Sequence, residues 1–373
     1  MVDITATMAN STTAMPDLPP LPNYTVSPLP DLLPFVSDFW LSIVLPHIAY
    51  WVLSFIFHMI DVYDLFPQYR LHTPEEITQR NHATRFEVAR DVLVEQAIQT
   101  ATAAFLSMTD QVQLVGKESY DVAVWATRIR LAQRAFPTIL GFVGLNAAAI
   151  SKSMASTHPL LSGVFAGGRY PSLTMELGGV SGGPQVPAFA TWELALAKLI
   201  YWVLIPAFQF WFAVAFLDTW QYFWHRAMHV NKWMYTHWHA RHHRLYVPYA
   251  YGALYNHPVE GFVLDTAGAG LAYKLSLMSP RMGMWYFLFS TVKTVDDHCG
   301  YNLPWDPLQK ITSNNAAYHD IHHQSWGIKT NFSQPFFTIW DRWLGTRYEG
   351  DVSKKYERIR QSAANKSSSP KSE

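Results

Sequence analysis

Residues 199–229 read LIYWVLIPAFQFWFAVAFLDTWQYFWHRAMH, an apolar run that leads directly into a histidine-containing segment. The first 19 positions, 199–217, carry no charged residue. Because about 20 apolar residues in a helix cross the hydrocarbon core of a bilayer, this run predicts a membrane span. His225 and His229 follow it four residues apart, a spacing that places both imidazoles on one helical face, where they can share a metal ion.

Two later segments have the spacing HxxHH, which in a helix also brings imidazoles to a common face. Their histidines are His239, His242 and His243 in the first segment and His319, His322 and His323 in the second. Of the 16 histidines in the chain, 11 lie between His225 and His323, against about four for an even distribution. Neither core packing nor surface exposure explains such a recurrence, so the pattern predicts metal binding.

His298, in the sequence Asp-Asp-His-Cys-Gly-Tyr-Asn, is a candidate ninth ligand. Histidine ligands usually donate their second ring N–H to a carboxylate or a carbonyl group. Polar residues near the histidine segments are therefore expected to orient the ligands. These residues are Asp218, His237, His257, Glu260, Asn302 and Asp341.

The number of histidines indicates the kind of metal site. A catalytic zinc ion needs three protein ligands and an open position, so nine imidazoles are too many for one ion. Two ions with four or five imidazoles each fit the number, and imidazole favours Fe, Zn, Cu or Ni over Mg or Ca. Soluble di-iron bundles use glutamates and Glu-x-x-His pairs instead, a pattern that this chain lacks.

Composition excludes several classes of protein. Of the 373 residues 49% are hydrophobic and only 15% are charged, whereas about 25% are charged in an average soluble protein. The net charge is zero, so no basic excess favours nucleic acid. The single cysteine, Cys299, excludes a disulfide framework within the chain, a CxxC zinc site and an Fe–S cluster. The chain contains no GxGxxG motif, so the signature of a dinucleotide-binding domain is absent.

The distribution of apolar residues predicts an all-α, polytopic membrane protein. Residues 39–60 carry no charge over 22 positions and form the clearest span besides 199–217. Residues 92–108 form a weaker span, and 129–150 are expected at the membrane interface. Residues 262–295 predict a broken apolar hairpin. The expected architecture is a set of transmembrane helical hairpins with a cytosolic, histidine-rich di-metal head.

Four segments are expected along the chain. They are a disordered N-terminal tail at 1–38, N-terminal membrane and interfacial helices with a linker at 39–190, a catalytic domain at 191–350, and a disordered C-terminal tail at 351–373. Counting spans from a lumenal N-terminus places both histidine-rich segments, 218–261 and 296–352, on the cytosolic side.

The order HxxxH, HxxHH, HxxHH between membrane spans resembles the fatty acid hydroxylase/sterol desaturase superfamily. Within it, five stretches look like the fungal sphinganine C4-hydroxylases. They lie at residues 66–75, 244–258, 297–302, 319–332 and 340–346. The resemblance covers roughly residues 39–350. It assigns the metal to His225, His229, His239, His242, His243, His298, His319, His322 and His323. Asn302 stands where some superfamily members have a further histidine, so a tenth ligand is not expected.

The resemblance implies a multi-pass enzyme of the endoplasmic reticulum with a cytosolic active site. It would hydroxylate C4 of sphinganine or dihydroceramide to phytosphingosine-type products, using two Fe ions, O2 and two electrons. Zn can replace Fe in purified protein. The chain has no HPGG core of a fused cytochrome b5, so the expected electron source is a cytochrome b5-type donor with its NAD(P)H reductase. The other expected partners are the lipid substrate and the bilayer. No nucleic-acid partner is expected.

Two alternatives remain open at the level of sequence. A lipid desaturase or a sterol methyl oxidase of the same superfamily would keep the site and change the product. A histidine-rich metal transporter would be a different class of protein. Transporters place polar ligands within their spans near the middle of the membrane, whereas the histidine segments here adjoin the ends of spans, which disfavours this alternative.

Overall fold

The computed structural model describes residues 17–177 and 182–368 of the chain. Three parts of the sequence predictions lie outside these residues: positions 1–16 of the N-terminal tail, 178–181 of the linker, and 369–373 of the C-terminal tail. The described chain is mostly helical, in agreement with the predicted fold class. Its four named strands are short and form two antiparallel pairs, with Ser27 opposite Val115 in one and Met175 opposite Val186 in the other.

The secondary-structure elements follow one another along the chain in this order. The α-helices are α1 Asp38–Val62, α2 Pro74–Arg80, α3 Arg85–Ser107, α4 Glu118–Gln133, α5 Phe136–Phe142, α6 Ala147–Met154, α7 Pro159–Phe165, α8 Thr191–Leu199, α9 Ile205–Val230, α10 Lys232–His237, α11 Pro258–Gly261, α12 Gly268–Leu275, α13 Pro280–Asp297, α14 Leu308–Ile311, α15 Ala316–His323, α16 Ile339–Trp343 and α17 Val352–Ser368. The strands are β1 Ser27–Pro28, β2 Leu114–Val115, β3 Thr174–Glu176 and β4 Gln185–Pro187. Short 3₁₀ helices lie at Pro67–Tyr69, His239–Arg244 and Ala250–Gly252, and π-helical segments at Ile200–Leu204 and Phe262–Ala267.

The chain forms two compact units. Of the described residues, the first comprises 17–30, 112–177 and 182–208 and contains α4 to α8. Inside it, the buried guanidinium of Arg130 on α4 pairs with the carboxylate of Glu193 on α8 at 2.5 Å, and Gln133 donates a hydrogen bond to the same carboxylate. Because both charges are buried and share several hydrogen bonds, this pair fixes α4 against α8.

The second unit comprises, of the described residues, 31–111 and 209–368, and contains all the candidate ligands. Its largest buried cluster joins α1, α3, the segment 245–255 and α13, with Tyr50, Val88, Val92 and Val295 almost fully buried. The hydroxyl of Tyr50 also donates a hydrogen bond to the carbonyl of Tyr251. A second apolar cluster packs α9 against α12 and α13. These two clusters hold the helices that carry the histidines.

Two helices in the described chain are long and apolar enough to cross a membrane. They are α1 and a continuous 40-residue helix, Thr191–Val230, which joins α8, the π-helical segment Ile200–Leu204 and α9. They contain the predicted spans 39–60 and 199–217. The π-helical segment precedes Pro206, whose missing N–H and bulky ring disturb the regular α-helical hydrogen bonds at this point.

The helix Thr191–Val230 is longer than a membrane requires. Forty residues extend about 60 Å, whereas the hydrocarbon core is about 30 Å thick. One end of the helix must therefore project beyond the core. His225 and His229 lie in its last two turns.

The other predicted membrane segments have different outcomes. α3 covers most of 92–108 but does not have the apolar composition of a span, since polar residues and Glu95 interrupt it. Helices spanning 118–142 and 147–154 meet at 114° and reach the apolar composition of a span only together. The apolar segment 262–295 contains two helical stretches separated at residues 276–279, and its position relative to a bilayer stays a prediction.

The segments at 66–80 and after 351 contact the back of α15. Residues 351–373 were expected to be disordered, whereas the structure has α17 at Val352–Ser368, whose Tyr356 donates a hydrogen bond to Asp320. The buried ring of His72 lies between two carboxylates, 2.9 Å from Asp320 Oδ1 and 3.0 Å from Glu76 Oε1. Burial alone lowers the pKa of His72, but the two carboxylates outweigh it and raise the pKa to about 9.

This pair of contacts predicts a pH-dependent stability. A group whose pKa rises on folding stabilises the folded state below its unfolded pKa and loses that contribution as pH rises through its folded pKa. For His72 the contribution is complete below pH 6.5 and disappears towards pH 9. It amounts to about 3 kcal/mol at most, by the usual conversion of a pKa shift.

We therefore expect the unfolding temperature of the detergent-solubilised protein to fall between pH 6.5 and 9.5, and His72→Gln to flatten that fall. The exposed His82 provides the matched control, since His82→Gln should retain the slope of the wild-type protein. An equal slope in wild type and His72→Gln would contradict the prediction.

Candidate metal centre

The nine candidate histidines come from four separate elements of the second unit. α9 carries His225 and His229 one turn apart near its C-terminus. The 3₁₀ helix His239–Arg244 carries the next three, His298 directly follows α13, and α15 carries the last three. Asn315 marks the start of α15, because its side chain accepts a hydrogen bond from the backbone N–H of Tyr318.

The structure brings all nine imidazoles together in two groups. The first histidine group contains His225, His229, His239, His243 and His322, and the second contains His242, His298, His319 and His323. In each group the possible ligand atoms all lie within 4.8 Å of one another. Eight of the rings are buried, and His229 is partly exposed.

Each HxxHH segment contributes to both groups. In the 3₁₀ helix, His239 and His243 belong to the first group and His242 to the second. In α15 the assignment is reversed, with His322 in the first group and the other two histidines in the second. The sequence analysis expected each segment to present its three imidazoles to one face. The structure instead places both segments between the groups, so that they connect the two sites.

The Nε2 atoms point into the two groups at short distances. In the first group, His239 Nε2 lies 3.1 Å from His225 Nε2, 2.7 Å from His229 Nε2 and 3.0 Å from His243 Nε2. In the second group, His319 Nε2 lies 3.0 Å from the Nε2 atoms of both His298 and His323. Two nitrogens bound at right angles to one ion, each about 2.1 Å from it, lie about 3.0 Å apart. The spacing therefore suits a shared metal ion.

The hydrogen-bond partners of the other ring nitrogen, Nδ1, determine which nitrogen of each imidazole carries the proton. Nδ1 donates to a backbone carbonyl in five rings: His225 to Phe332, His242 to Tyr255, His298 to Thr294, His322 to Thr330 and His323 to Leu245. In a sixth ring, His239 Nδ1 contacts the carboxylate of Glu260. Since a carbonyl can only accept, Nδ1 holds the proton in a neutral ring and Nε2 keeps its lone pair. Lone pairs at 3 Å repel one another unless a cation lies between them.

The surroundings also keep the imidazoles neutral. Burial lowers the pKa of His239 to about 3, of His242 to about 4 and of His298 to about 3. A metal ion binds only the unprotonated form of imidazole, so this shift favours binding at neutral pH. The donor set of neutral imidazoles fits Fe or Zn and not Mg or Ca. The described residues thus fit the metal pair that the sequence analysis predicts, while their assignment as ligands stays a prediction.

The residues expected to orient the ligands are found in different places. Glu260 contacts a candidate ligand, His239, directly. His237 forms a hydrogen bond with the carbonyl of Trp233. His257 accepts a hydrogen bond from the backbone N–H of Val259. Asn302 bonds through its backbone N–H to the carbonyl of Tyr69. For these last three residues the structure gives contacts away from the two histidine groups.

Asp218 and Asp341 support the site indirectly, through backbone N–H groups. Asp218 accepts hydrogen bonds from the backbone N–H groups of Phe336 and Phe337, and Asp341 from those of Phe332 and Ser333. The carbonyl of Phe332 in turn accepts the proton of His225 Nδ1. The two carboxylates therefore fix the loop that orients a ligand, rather than the ligand itself.

Sequence analysis missed most of the groups that orient the histidines. Five of them are backbone carbonyls, which every residue possesses, so no residue type could have indicated them. Asn256, whose side chain bonds His242 and also Asp265, was missed as well. His72 and Asp320, which support the back of α15, were within reach, because 66–75 and 319–332 are two of the stretches that carry the resemblance.

Two cavities meet beside the second histidine group. The first, which we call the chain cavity, is about 130 Å³ in volume and mainly apolar, with lining from α1, α3, α9, α12 and α13. The second, the metal-side cavity, is about 20 Å³ and is bounded by His239, His242, His298 and His319. Both are lined by Gln221, Asp265, Thr294 and Pro335. An apolar chain in the first cavity can therefore present one end to the histidines.

The comparisons with known proteins agree with this geometry. The profile of the family Fatty acid hydroxylase matches residues 210–346, the range that contains all nine histidines. No solved structure matches the chain.

Two fungal relatives are similar over most of the chain, and a plant relative over part of it. It is 39% identical to the sphingolipid C4-hydroxylase SUR2 of Saccharomyces cerevisiae over 340 residues, which make up 91% of this chain and 80% of that protein. It is 41% identical to the sphingolipid C4-hydroxylase of Schizosaccharomyces pombe over 319 residues, 85% of this chain and 91% of that protein. Sphinganine C4-monooxygenase 2 of Arabidopsis thaliana is 60% identical over 144 residues, 39% of this chain and 56% of the plant protein. The chain belongs to the fatty acid hydroxylase family, among its sphingolipid C4-hydroxylases.

Proposed function

We propose that this protein is an oxygen-dependent oxidoreductase that hydroxylates C4 of a sphingoid base or dihydroceramide, giving phytosphingosine-type products in sphingolipid biosynthesis. The observation that carries the proposal is the junction of an apolar cavity with two groups of buried, neutral imidazoles. The fungal relatives, similar over most of their length, carry the name of this activity. The substrate is therefore a lipid, and the enzyme acts at a membrane.

Two iron ions are the proposed cofactors, one in each histidine group. When bound, iron supplies the redox chemistry with O2 that an unactivated C–H bond requires and that no side chain can provide. The protein holds the nitrogen donors in place through the Nδ1 contacts with backbone carbonyls and with Glu260. It also keeps the rings unprotonated by burying them.

The chain cavity positions the substrate. Leu217, Leu254 and Phe287 are among its apolar lining residues, and the cavity ends where Thr294 and Pro335 border the metal-side cavity. An alkyl chain bound there is removed from water, while the carbon near its polar end lies beside His242 and His298. The polar end of a sphingoid base carries C4 close to its head, which matches this arrangement.

We further propose that the enzyme lies in the endoplasmic reticulum membrane with both histidine-rich segments, 218–261 and 296–352, in the cytosol. Electrons would then come from a cytochrome b5-type protein and its NAD(P)H reductase. The length of helix Thr191–Val230 supports a histidine site just beyond the membrane, since its C-terminal turns carry His225 and His229.

The first prediction of this proposal concerns metal content. Purified protein should hold about two iron or zinc ions per chain, one for each histidine group. His322→Ala in the first group and His242→Ala in the second should each lower metal content and reduce turnover at least about a hundredfold, because a lost ligand unbalances a buried site. The exposed His158 offers the control, and His158→Ala should retain metal and activity. One ion per chain in wild type would contradict the two-site arrangement.

The second prediction concerns the origin of the product oxygen. With sphinganine under ¹⁸O2, the new C4 hydroxyl should carry the label, and the C4 alkene should be a minor product by mass spectrometry. The same incubation in ¹⁸O-labelled water under ordinary O2 is the control and should give unlabelled alcohol. An alkene as the main product would replace hydroxylation by desaturation while leaving the metal site unaffected.

The third prediction concerns the electron source. In proteoliposomes, NADH should support turnover only when a cytochrome b5 and its reductase are both added, and NADPH alone should not. Protease added to sealed microsomes should cleave within the histidine-rich segments, because the proposal places them on the cytosolic side. Turnover of the pure protein with NADPH, or full protection of both segments, would speak against the proposal.

A further inference from the structure

The junction of the two cavities contains one ionisable side chain. Of the four residues that line both cavities, Gln221, Thr294 and Pro335 are neutral and Asp265 is acidic. Asp265 lies in the π-helical segment Phe262–Ala267, and irregularities of this kind are frequent at functional sites. The geometry thus places a carboxylate where the head of a lipid in the chain cavity would reach the histidines.

Asp265 is held by neutral groups only. Gln221 Nε2 donates to Asp265 Oδ1 at 2.9 Å, and Asn256 Nδ2 donates to Asp265 Oδ2 at 3.1 Å. No lysine, arginine or histidine forms an ion pair with it among residues 17–177 and 182–368. Two amides fix the orientation of the carboxylate but do not balance its charge.

The neighbouring acidic groups increase the need for a cation. Burial, and after it the nearby carboxylates of Glu95 and Glu260, disfavour a negative charge on Asp265 unless a cation lies beside it. Glu260 is fully buried, lines the metal-side cavity, and has an oxygen, Oε2, without a hydrogen-bond partner in the described part of the chain. This oxygen lines the same cavity as Asp265 and is available to accept a hydrogen bond from a ligand bound there.

A free sphingoid base has such a group in the right place. Its ammonium is on C2, two bonds from C4, and the alkyl chain begins beyond C4. If the chain occupies the chain cavity and C4 lies beside the second histidine group, C2 and its ammonium lie two bonds further on, within reach of Asp265, which lines both cavities. N-acylation removes this charge, because it turns the amine into a neutral amide.

We propose that Asp265 binds the ammonium group of the substrate and makes the free sphingoid base, rather than dihydroceramide, the preferred substrate. This inference rests on the proposed C4-hydroxylation and adds the substrate form to it. Asp265 is a specificity-determining residue, and Gln221 and Asn256 are positioning residues that orient its carboxylate.

The experiment removes the charge either from Asp265, by substitution, or from the substrate, by use of analogues without an ammonium group. Wild type and Asp265→Asn are compared on sphinganine and on octadecane-1,3-diol, which lacks the amino group, and also on N-acetylsphinganine. In wild type we expect kcat/KM for sphinganine to exceed that for the diol about tenfold to a hundredfold, the range for a charge-assisted hydrogen bond. Asp265→Asn should lose that factor on sphinganine, mainly through KM, and change by less than about threefold on the two neutral substrates.

Two further variants separate specificity from folding. Asp265→Glu restores the charge and should recover part of the preference for sphinganine. Asp110→Asn removes a carboxylate that pairs with Lys274 and lines neither cavity, and it should leave the substrate ratios unchanged.

Each outcome has one meaning. An equal loss on all three substrates in Asp265→Asn would assign Asp265 a structural role and overturn the inference. If Asp265→Asn does not fold, equal kcat/KM of wild type for sphinganine and the diol would overturn it as well. A wild-type protein that hydroxylates none of the substrates with its electron donors present would refute the proposed function instead.

Discussion

The second unit depends on one constraint, the convergence of neutral imidazoles on two small volumes. Their Nε2 atoms approach to about 3 Å, while most of the Nδ1 atoms donate outward to fixed acceptors. Turning a ring to relieve the repulsion would break its outer hydrogen bond inside a buried site, at a cost of the order of 1–3 kcal/mol. The arrangement is therefore stable only when a cation balances the inward lone pairs, which links the fold of this unit to the metal.

The same constraint explains why the candidate ligands come from distant parts of the chain. The 3₁₀ helix His239–Arg244 and α15 each contribute to both histidine groups, so neither group can form without both segments. The carbonyls that orient the rings come from still other stretches, such as Phe332 and Leu245. The centre is consequently a property of the whole unit, and a change in the loop that Asp341 holds acts on His225 through Phe332.

Residue types and spacing predicted the helical fold, the two long apolar helices and the clustering of nine histidines, because these features follow from side-chain chemistry and periodicity. They could not predict which histidine joins which group, since this depends on the 3₁₀ geometry of 239–244 and on the relative rotation of α15. Backbone carbonyls as acceptors are equally invisible in a sequence. Asp218 and Asp341 were expected to orient the histidines, whereas both accept hydrogen bonds from backbone N–H groups. Asp265 lay inside an apolar stretch that the sequence analysis interpreted only as membrane hairpin.

The two faces of α15 show how the stretches that resemble sphinganine hydroxylases can act on the metal centre. One face presents His319, His322 and His323 to the histidine groups, and the opposite face presents Asp320 to His72 and to Tyr356 of α17. Contacts on both faces fix the rotation of this eight-residue helix, among them the hydrogen bonds of His322 to Thr330 and of His323 to Leu245. Because a rotation of α15 moves three candidate ligands at once, the buried contact between His72 and Asp320 helps to set the geometry of both groups from outside. The stretch 66–75 thus affects the centre although none of its residues lies in either histidine group.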